Sequence, residues 1–412
     1  MNDHRRAQWS WAIYDWGNSA FATTVMAGFF PIFFNEFWAV GVAPETQTLY
    51  QGLTSTVASL FVMLTAPWFG TLADRHGRHK HWLAAFTVIG VVTTAALFLV
   101  GRGQWGWAVV LSIIGRIGFF GGLSFYDALL TRVAAPDERD RVSALGYGLG
   151  YLGGGVLFSV NVMMALKPAW FGLPDAAWAT RIAFLSVAIW WAVFSLPLFL
   201  RVPAAAAQPG GVSSWTSLRE TARELRAMPA VWMFLLAYWL YIDGVDTIII
   251  MAVDFGMKLG LPSESLIKAL LLVQFIGFPA AIIFGRLGDR LGTRNALLLA
   301  LAVYIGVTLW AYTLQTEGQF YAMAAAIGCV QGGIQSLSRA YFSRLIPVEQ
   351  AGKFFGFYNM LGKFAAVLGP LVVGLTAQFT GNPRLAILSL LVFFVAGAAL
   401  LWRADRLRGA SA

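Results

Sequence analysis

The chain has 412 residues, of which 58% are hydrophobic and only 12% charged, with 17 Trp and 32 Phe. A soluble domain carries roughly twice that charge, so water is excluded as the main solvent, and about twelve helices of some 20 residues joined by short loops fit instead. The formal net charge of +9 raises nucleic acid as a partner, but the placement of the basic residues assigns it to a membrane, and the single Cys329 excludes an intramolecular disulfide or a cysteine metal cluster.

Arg5 and Arg6 precede an apolar run that Asp15, Asn18 and Pro31 interrupt. It is too long for a signal-peptide core and reads as a retained first span near 10–37. Trp9, Trp11 and Trp16 read as an interfacial belt around Asp15, which is then a gate or a cap. Further spans fall near 50–72, 82–101, 105–129, 143–166 and 180–200. The second ends in Gly70, Leu72, Asp74, Arg75, Gly77 and Arg78, a turn with a carboxylate able to cap a neighbouring helix or pair with arginine. The nearby His76, His79 and His81 have no acidic or cysteine partner apart from Asp74, the loop is basic and repels cations, and no metal or cofactor is expected. The fourth span holds Arg116 and, near its end, Asp127. Gly148, Gly150 and Gly153 match a dinucleotide-binding spacing, but they follow no strand and read as close helix packing.

Residues 201–229 open with an Ala/Pro/Gly stretch and continue as an amphipathic piece from Ser214 to Met228, the expected linker between halves 1–200 and 230–412. A second set of spans follows near 230–254, 265–284, 295–315, 319–338, 354–378 and 385–402. Asp243 and Asp246 lie one helical turn apart in the seventh span. Two carboxylates that close in a dry site repel, so one is expected to resist ionisation, as a proton-coupling group must. The eighth span ends in Gly285, Asp289, Arg290, Gly292 and Arg294, repeating the earlier turn 215 positions on. Gln331 and Gln335 pair at i, i+4 in the tenth span, as do Asn359 and Lys363 in the eleventh. Such donors suit a carboxylate-bearing solute, or else inter-helix hydrogen bonds.

Lysine and arginine set the orientation. With the N-terminus inside, 21 of 29 fall in cytoplasmic segments, Arg339 and Arg344 among them, and only Arg116 and Lys363 fall within spans. Both termini are therefore expected in the cytoplasm. Buried charges cost about 2.5–3.5 kcal/mol each when they face lipid, so Asp15, Arg116, Asp127, Asp243, Asp246 and Lys363 should line a shared water-accessible path or pair.

The turn from Gly70 to Arg78, with its second copy, resembles the signature of the major facilitator superfamily. That resemblance implies an all-α membrane protein with the 12-helix major facilitator fold, two pseudo-symmetric six-helix halves, and a latch on the cytoplasmic side. Residues 11–34, the stretch from Tyr241 and residues 328–374 resemble the vacuole-effluxer family, whose fungal members export amino acids from the vacuole. Arg116 resembles the superfamily's arginine motif, with the following glycine displaced to Gly121. The implied activity is secondary transport of a small polar solute, amino acid-like and outward-bound, coupled to protons. The expected protein is a monomer in a bacterial inner membrane, with lipid and a small-molecule substrate as its partners. Uncoupled facilitation, export of a lipid-like solute, and a receptor on a transporter fold stay open as alternatives. No P-loop or G-x-S-x-G supports ATP-driven transport or hydrolysis on this chain.

Overall fold

The computed structural model describes residues 3–204, 222–258 and 260–411, without the side chains of a few helical residues such as Lys363. Among the described residues are twelve long helices. In the first group these are α1 (Asp3–Trp38), α2 (Pro44–His76), α3 (His79–Ala96), α4 (Trp105–Val133), α5 (Arg139–Leu166) and α6 (Ala176–Arg201). In the second they are α7 (Pro229–Lys258), α8 (Ser263–Leu291), α9 (Thr293–Ala311), α10 (Glu317–Leu345), α11 (Ala351–Thr380) and α12 (Leu391–Ser411). Ten segments of the described chain are long and apolar enough to cross a membrane by length and composition. The others are α10, whose turns carry Gln331, Gln335 and Arg339, and α11, where the side chains of residues 363–367 lie outside the description and the described apolar stretch is Leu368–Thr380.

Local chemistry fixes the helix ends. Asp175 accepts the Trp178 N–H at 2.8 Å to start α6, and Thr316 with Gln319 forms a reciprocal capping box for α10. Gly77, at φ +63°, closes α2 in the left-handed conformation that an L side chain resists. The α1 helix widens into a π-helical stretch at Phe21–Phe29, where the Phe30 N–H reaches back to the Val25 carbonyl. Residues 205–221, which hold most of the expected amphipathic linker, lie outside the described residues; the chain re-enters as a helical turn that carries Glu224.

Helices α1 to α6 pack among themselves, as do α7 to α12. The two groups meet along α2 with α11 and α5 with α8, with further contact of α5 with α10 and α4 with α11. Lipid gives helices no hydrophobic reason to associate, so close backbone approach must supply the packing. Glycine allows it: at Gly150 a Cβ would stand 2.6 Å from the Ser19 Oγ of α1. His4 lies 2.7 Å from Glu138, Arg344 pairs with Asp140, and Arg294 pairs with Asp405 of α12, which puts both ends of the chain on one face. It is called the terminal face below.

Several helices exceed the twenty residues needed to cross hydrocarbon, and this corrects the sequence reading of the loops. Asp127, Arg132, Arg339 and Arg344 stand in the last turns of 29-residue helices. Arg339, assigned above to a cytoplasmic segment, is only 2% exposed. Trp11, assigned to an interfacial belt, is fully buried and stacks on Tyr126 with ring centroids 4.4 Å apart. Of that trio only Trp9 is exposed.

Candidate functional site

Three tiers of polar contact join the two groups of helices. The first is at the terminal face. Asp74, at the end of α2, accepts the backbone N–H groups of Gly352 at 3.0 Å and Lys353 at 2.8 Å, the unsatisfied donors that open α11. His79 Nε2 stands 2.8 Å from the same carboxylate, and both side chains are buried. Gly70 makes this approach possible, since a Cβ there would overlap the Gly352 carbonyl. Arg75 and Arg78 are exposed.

The second copy of the turn is built differently. Gly285 lies against Ala144 of α5, and Gly292 adopts φ +82°. Asp289 is exposed and makes no hydrogen bond among the described residues. Its place in the contact is taken by Arg344, which donates to Asp140 at 2.8 Å, to Thr293 and to the Pro136 carbonyl at 2.7 Å. Arg294 bonds Asp405 within its own group, and Arg290 is exposed. A recess of about 660 Å³ opens to solvent between these residues, lined by Asp137, Asp140, Asp289, Arg294, Arg344 and Asp405 among others. It lies on the terminal face, away from the centre of the bundle.

The middle tier centres on Arg339 of α10. Its Nη1 donates to Asp127 of α4 at 3.0 Å and lies 3.7 Å from Asp15 of α1. Its Nε and Nη2 donate to the Ser143 hydroxyl and carbonyl of α5 at 2.8 and 3.0 Å. The guanidinium stacks over Tyr147 at 4.3 Å and Trp11 at 4.8 Å. The remaining lone pairs are also used. Tyr126 donates to Asp15 at 2.8 Å, and Asn359 of α11 donates to Asp127 at 2.9 Å. Arg339 and Asp127 are 212 positions apart and occupy equivalent turns of α10 and α4, so the two groups of helices offer opposite charges at matching places.

Toward the centre, Tyr151 of α5 donates to Gln335 of α10 at 3.0 Å, the third tier. One turn further, Gln331 is 8% exposed and its Oε1 has no partner. Asp243 and Asp246 have different surroundings despite their spacing. Asp243 is 1% exposed; its Oδ1 accepts the Gly369 N–H of α11 at 2.8 Å, while Oδ2 has no partner. The Thr247 hydroxyl, one turn on, donates to the same oxygen at 3.4 Å, and the Gly369 that this carboxylate holds stands just before Pro370, which has no N–H of its own. Asp246 is half-buried, within electrostatic range of Tyr147, Tyr151, Tyr238 and Tyr304. Asn18 is buried beside Tyr14. The Lys363 side chain lies outside the described residues, and Asn359 turns instead to Asp127.

Arg116 stands apart from all of these. It is 6% exposed, its Nε bonds Ser112 at 3.3 Å, and its guanidinium lies 5.8 Å from the Phe30 ring. No carboxylate pairs with it among the described residues.

The family described as "Vacuole effluxer Atg22 like" matches residues 46–412. The MFS-type transporter YxiO of Bacillus subtilis is 36% identical over 95% of this chain and 93% of its own length. Autophagy-related protein 22 of Yarrowia lipolytica is 28% identical over 65% of this chain, and the match spans about half (51%) of that longer protein. Among solved structures, the human organic anion transporter MFSD10 superposes with a TM-score of 0.78 at 15% identity, covering 97% of this chain and all (100%) of that one. The major facilitator superfamily transporter FucP, in the outward conformation, gives 0.74 at 11% identity, covering 98% of this chain and 99% of its own. At such identities the likeness is one of fold.

Proposed function

The chain belongs to the vacuole-effluxer family of major facilitator transporters, and from that premise we propose that it moves a small polar solute by alternating access, driven by a proton gradient. In this reading residues 1–200 and 230–412 are the two moving halves, and both termini lie in the cytoplasm. The terminal face is then the cytoplasmic gate, closed, and the molecule is open to the outside. The solute leaves the cell when the halves rock, and an amino acid-like cargo is the one the family suggests.

The observation that carries the reading is the concentration of ionic contacts between the halves on the terminal side. An apolar seam as large would resist water, and opening it would expose its whole area. A seam of charges opens differently. Closed and buried, Arg339 with Asp127 and Asp15 is costly to break, because each partner would be left alone in a dry site. Once water enters, each charge is hydrated and the pairing is worth little. Such a gate is stable when shut and inexpensive when fully open, which suits a two-state rocking motion.

Asp243 is the proposed coupling group. Its carboxylate holds the Gly369 N–H of α11, and the other end of that helix carries Gly352, Lys353 and Asn359, all bonded to the first half. A proton on Asp243 weakens its grip as an acceptor and frees α11 to pivot at Pro370. Purified protein in vesicles should show solute flux that follows an imposed pH gradient, and Asp243→Asn should uncouple it. Unchanged pH-driven flux in that variant would remove Asp243 from the mechanism; gradient-independent flux in the wild type would leave a facilitator.

A further inference from the structure

We propose that Arg116 is the receptor for an oxyanion, a carboxylate or a phosphate ester, carried by the transported solute; the inference rests on the transport reading given above. Asp127 and Arg116 are eleven residues apart on α4. At about 100° per residue they share a face, and at about 1.5 Å rise Arg116 stands some 16 Å further from the terminal face. Asp127 meets α10 and α11 of the other half, so Arg116 is directed along the same seam, on the side away from the closed gate.

A buried guanidinium has five N–H donors to satisfy, and it cannot escape by losing its proton. In Arg116 only Nε has a hydrogen-bond partner among the described residues, and that bond is long. Neither Nη is fully enclosed, so each keeps a trace of accessible surface in a side chain that is otherwise buried. No acid on the surrounding helices pairs with Arg116 among the described residues, and Glu36 of α1, six residues beyond Phe30, is exposed. Asp15 is committed to Tyr126 and Arg339. The α2 helix has no acid between Glu45 and Asp74, and neither α3 nor α11 has one. The site thus presents an aromatic-backed guanidinium whose two Nη groups are unspent, the fork that binds a planar oxyanion through two parallel bonds. Phe30 follows the π-helical stretch of α1 and covers one side of the fork.

The test measures binding, so it does not depend on transport. Purified protein is warmed with benzoate, succinate, glutamate or glycerol 3-phosphate, each beside a neutral amide or alcohol counterpart. At least one anion should raise Tm, its neutral counterpart should not, and R116Q should lose the rise; whether carboxylates or the phosphate ester give it identifies the source. Without ligand, R116Q should melt at or above the wild-type temperature, since an uncompensated charge is removed. A lower Tm for ligand-free R116Q would show a structural arginine and overturn the proposal. As a measurement independent of solute identity, phenylglyoxal applied from the side opposite the termini should modify Arg116, and formate or phosphate should protect it better than chloride at equal ionic strength. An unmodified Arg116, or equal protection by chloride, overturns the proposal. Anion binding without any flux would instead leave the receptor standing and defeat the transport reading.

Discussion

Two buried arginines, Arg339 and Arg116, stand on equivalent helices and have opposite environments. Arg339 is saturated: a carboxylate, a hydroxyl, a backbone carbonyl and two aromatic faces surround it, with a second carboxylate at 3.7 Å. Arg116 has one hydroxyl and one ring. Both are nearly inaccessible, so burial does not distinguish them. What does is whether the protein has supplied the counter-charge. A guanidinium with all its partners is a structural tie; one without them waits for a partner from outside.

The largest test of that contrast is removal of the tie. Arg339→Gln leaves Asp127 and Asp15 buried together with no cation, and stability should fall by about 3–5 kcal/mol, the usual cost of breaking a buried pair from one side. Thermal unfolding in detergent measures it. Adding Asp127→Asn to Arg339→Gln should recover part of the loss, because the stranded charge is gone. A wild-type melting curve for Arg339→Gln would erase the distinction between the two arginines.

The two copies of the glycine-rich turn give the next effect in size. Asp74→Ala removes the acceptor for two helix-opening N–H groups and a histidine, and should cost about 1–3 kcal/mol. Asp289→Ala, where no hydrogen bond is made among the described residues, should stay within about 0.5 kcal/mol. A cysteine replacing the buried Ser336 on the seam should become more reactive to maleimide in Asp74→Ala and not in Asp289→Ala. Equal labelling in both would mean that the copies act alike.

Much of the fold was legible because a bilayer imposes a simple rule on helix length and charge. The placement of the long helices follows from it, and the repeated turn is read from the sequence repeat itself. The same rule hid Arg339. Counting basic residues assigns an arginine near a span's edge to water, and α10 runs past that edge as a continuous helix. A signal was present: α4 and α10 align with Asp127 opposite Arg339 and Arg132 opposite Arg344. Opposite charges at matching turns can meet where the two groups of helices pack. Asp243 and Asp246 are legible as residues one turn apart, but helical spacing says nothing of the Gly369 N–H of α11 that Asp243 accepts. Helical spacing places Asn359 beside Lys363 and cannot show that its amide also donates across the seam to Asp127.

The smallest effect belongs to a pair that is neither buried nor bare. Glu138 lies between α4 and α5, its carboxylate 2.7 Å from His4 and 2.8 Å from Gln8. The hydrogen bond from His4 holds its pKa below the ordinary glutamate value, with lesser help from the Ala135 N–H and Gln8. A depressed folded-state pKa means that the contribution is present above the unfolded value, near 4.3, and is lost as pH falls through the folded value. Glu138→Gln should therefore lower Tm slightly at pH 7, by an amount worth no more than about 0.5 kcal/mol, and the gap should close below pH 4. Half a molar salt should shrink it further, because solvent ions reach this pair and do not reach Arg339. If salt weakened the Arg339→Gln effect in the same proportion, the central tie would be as wet as the surface one, and the loss could not be that of a counter-charge in a dry site.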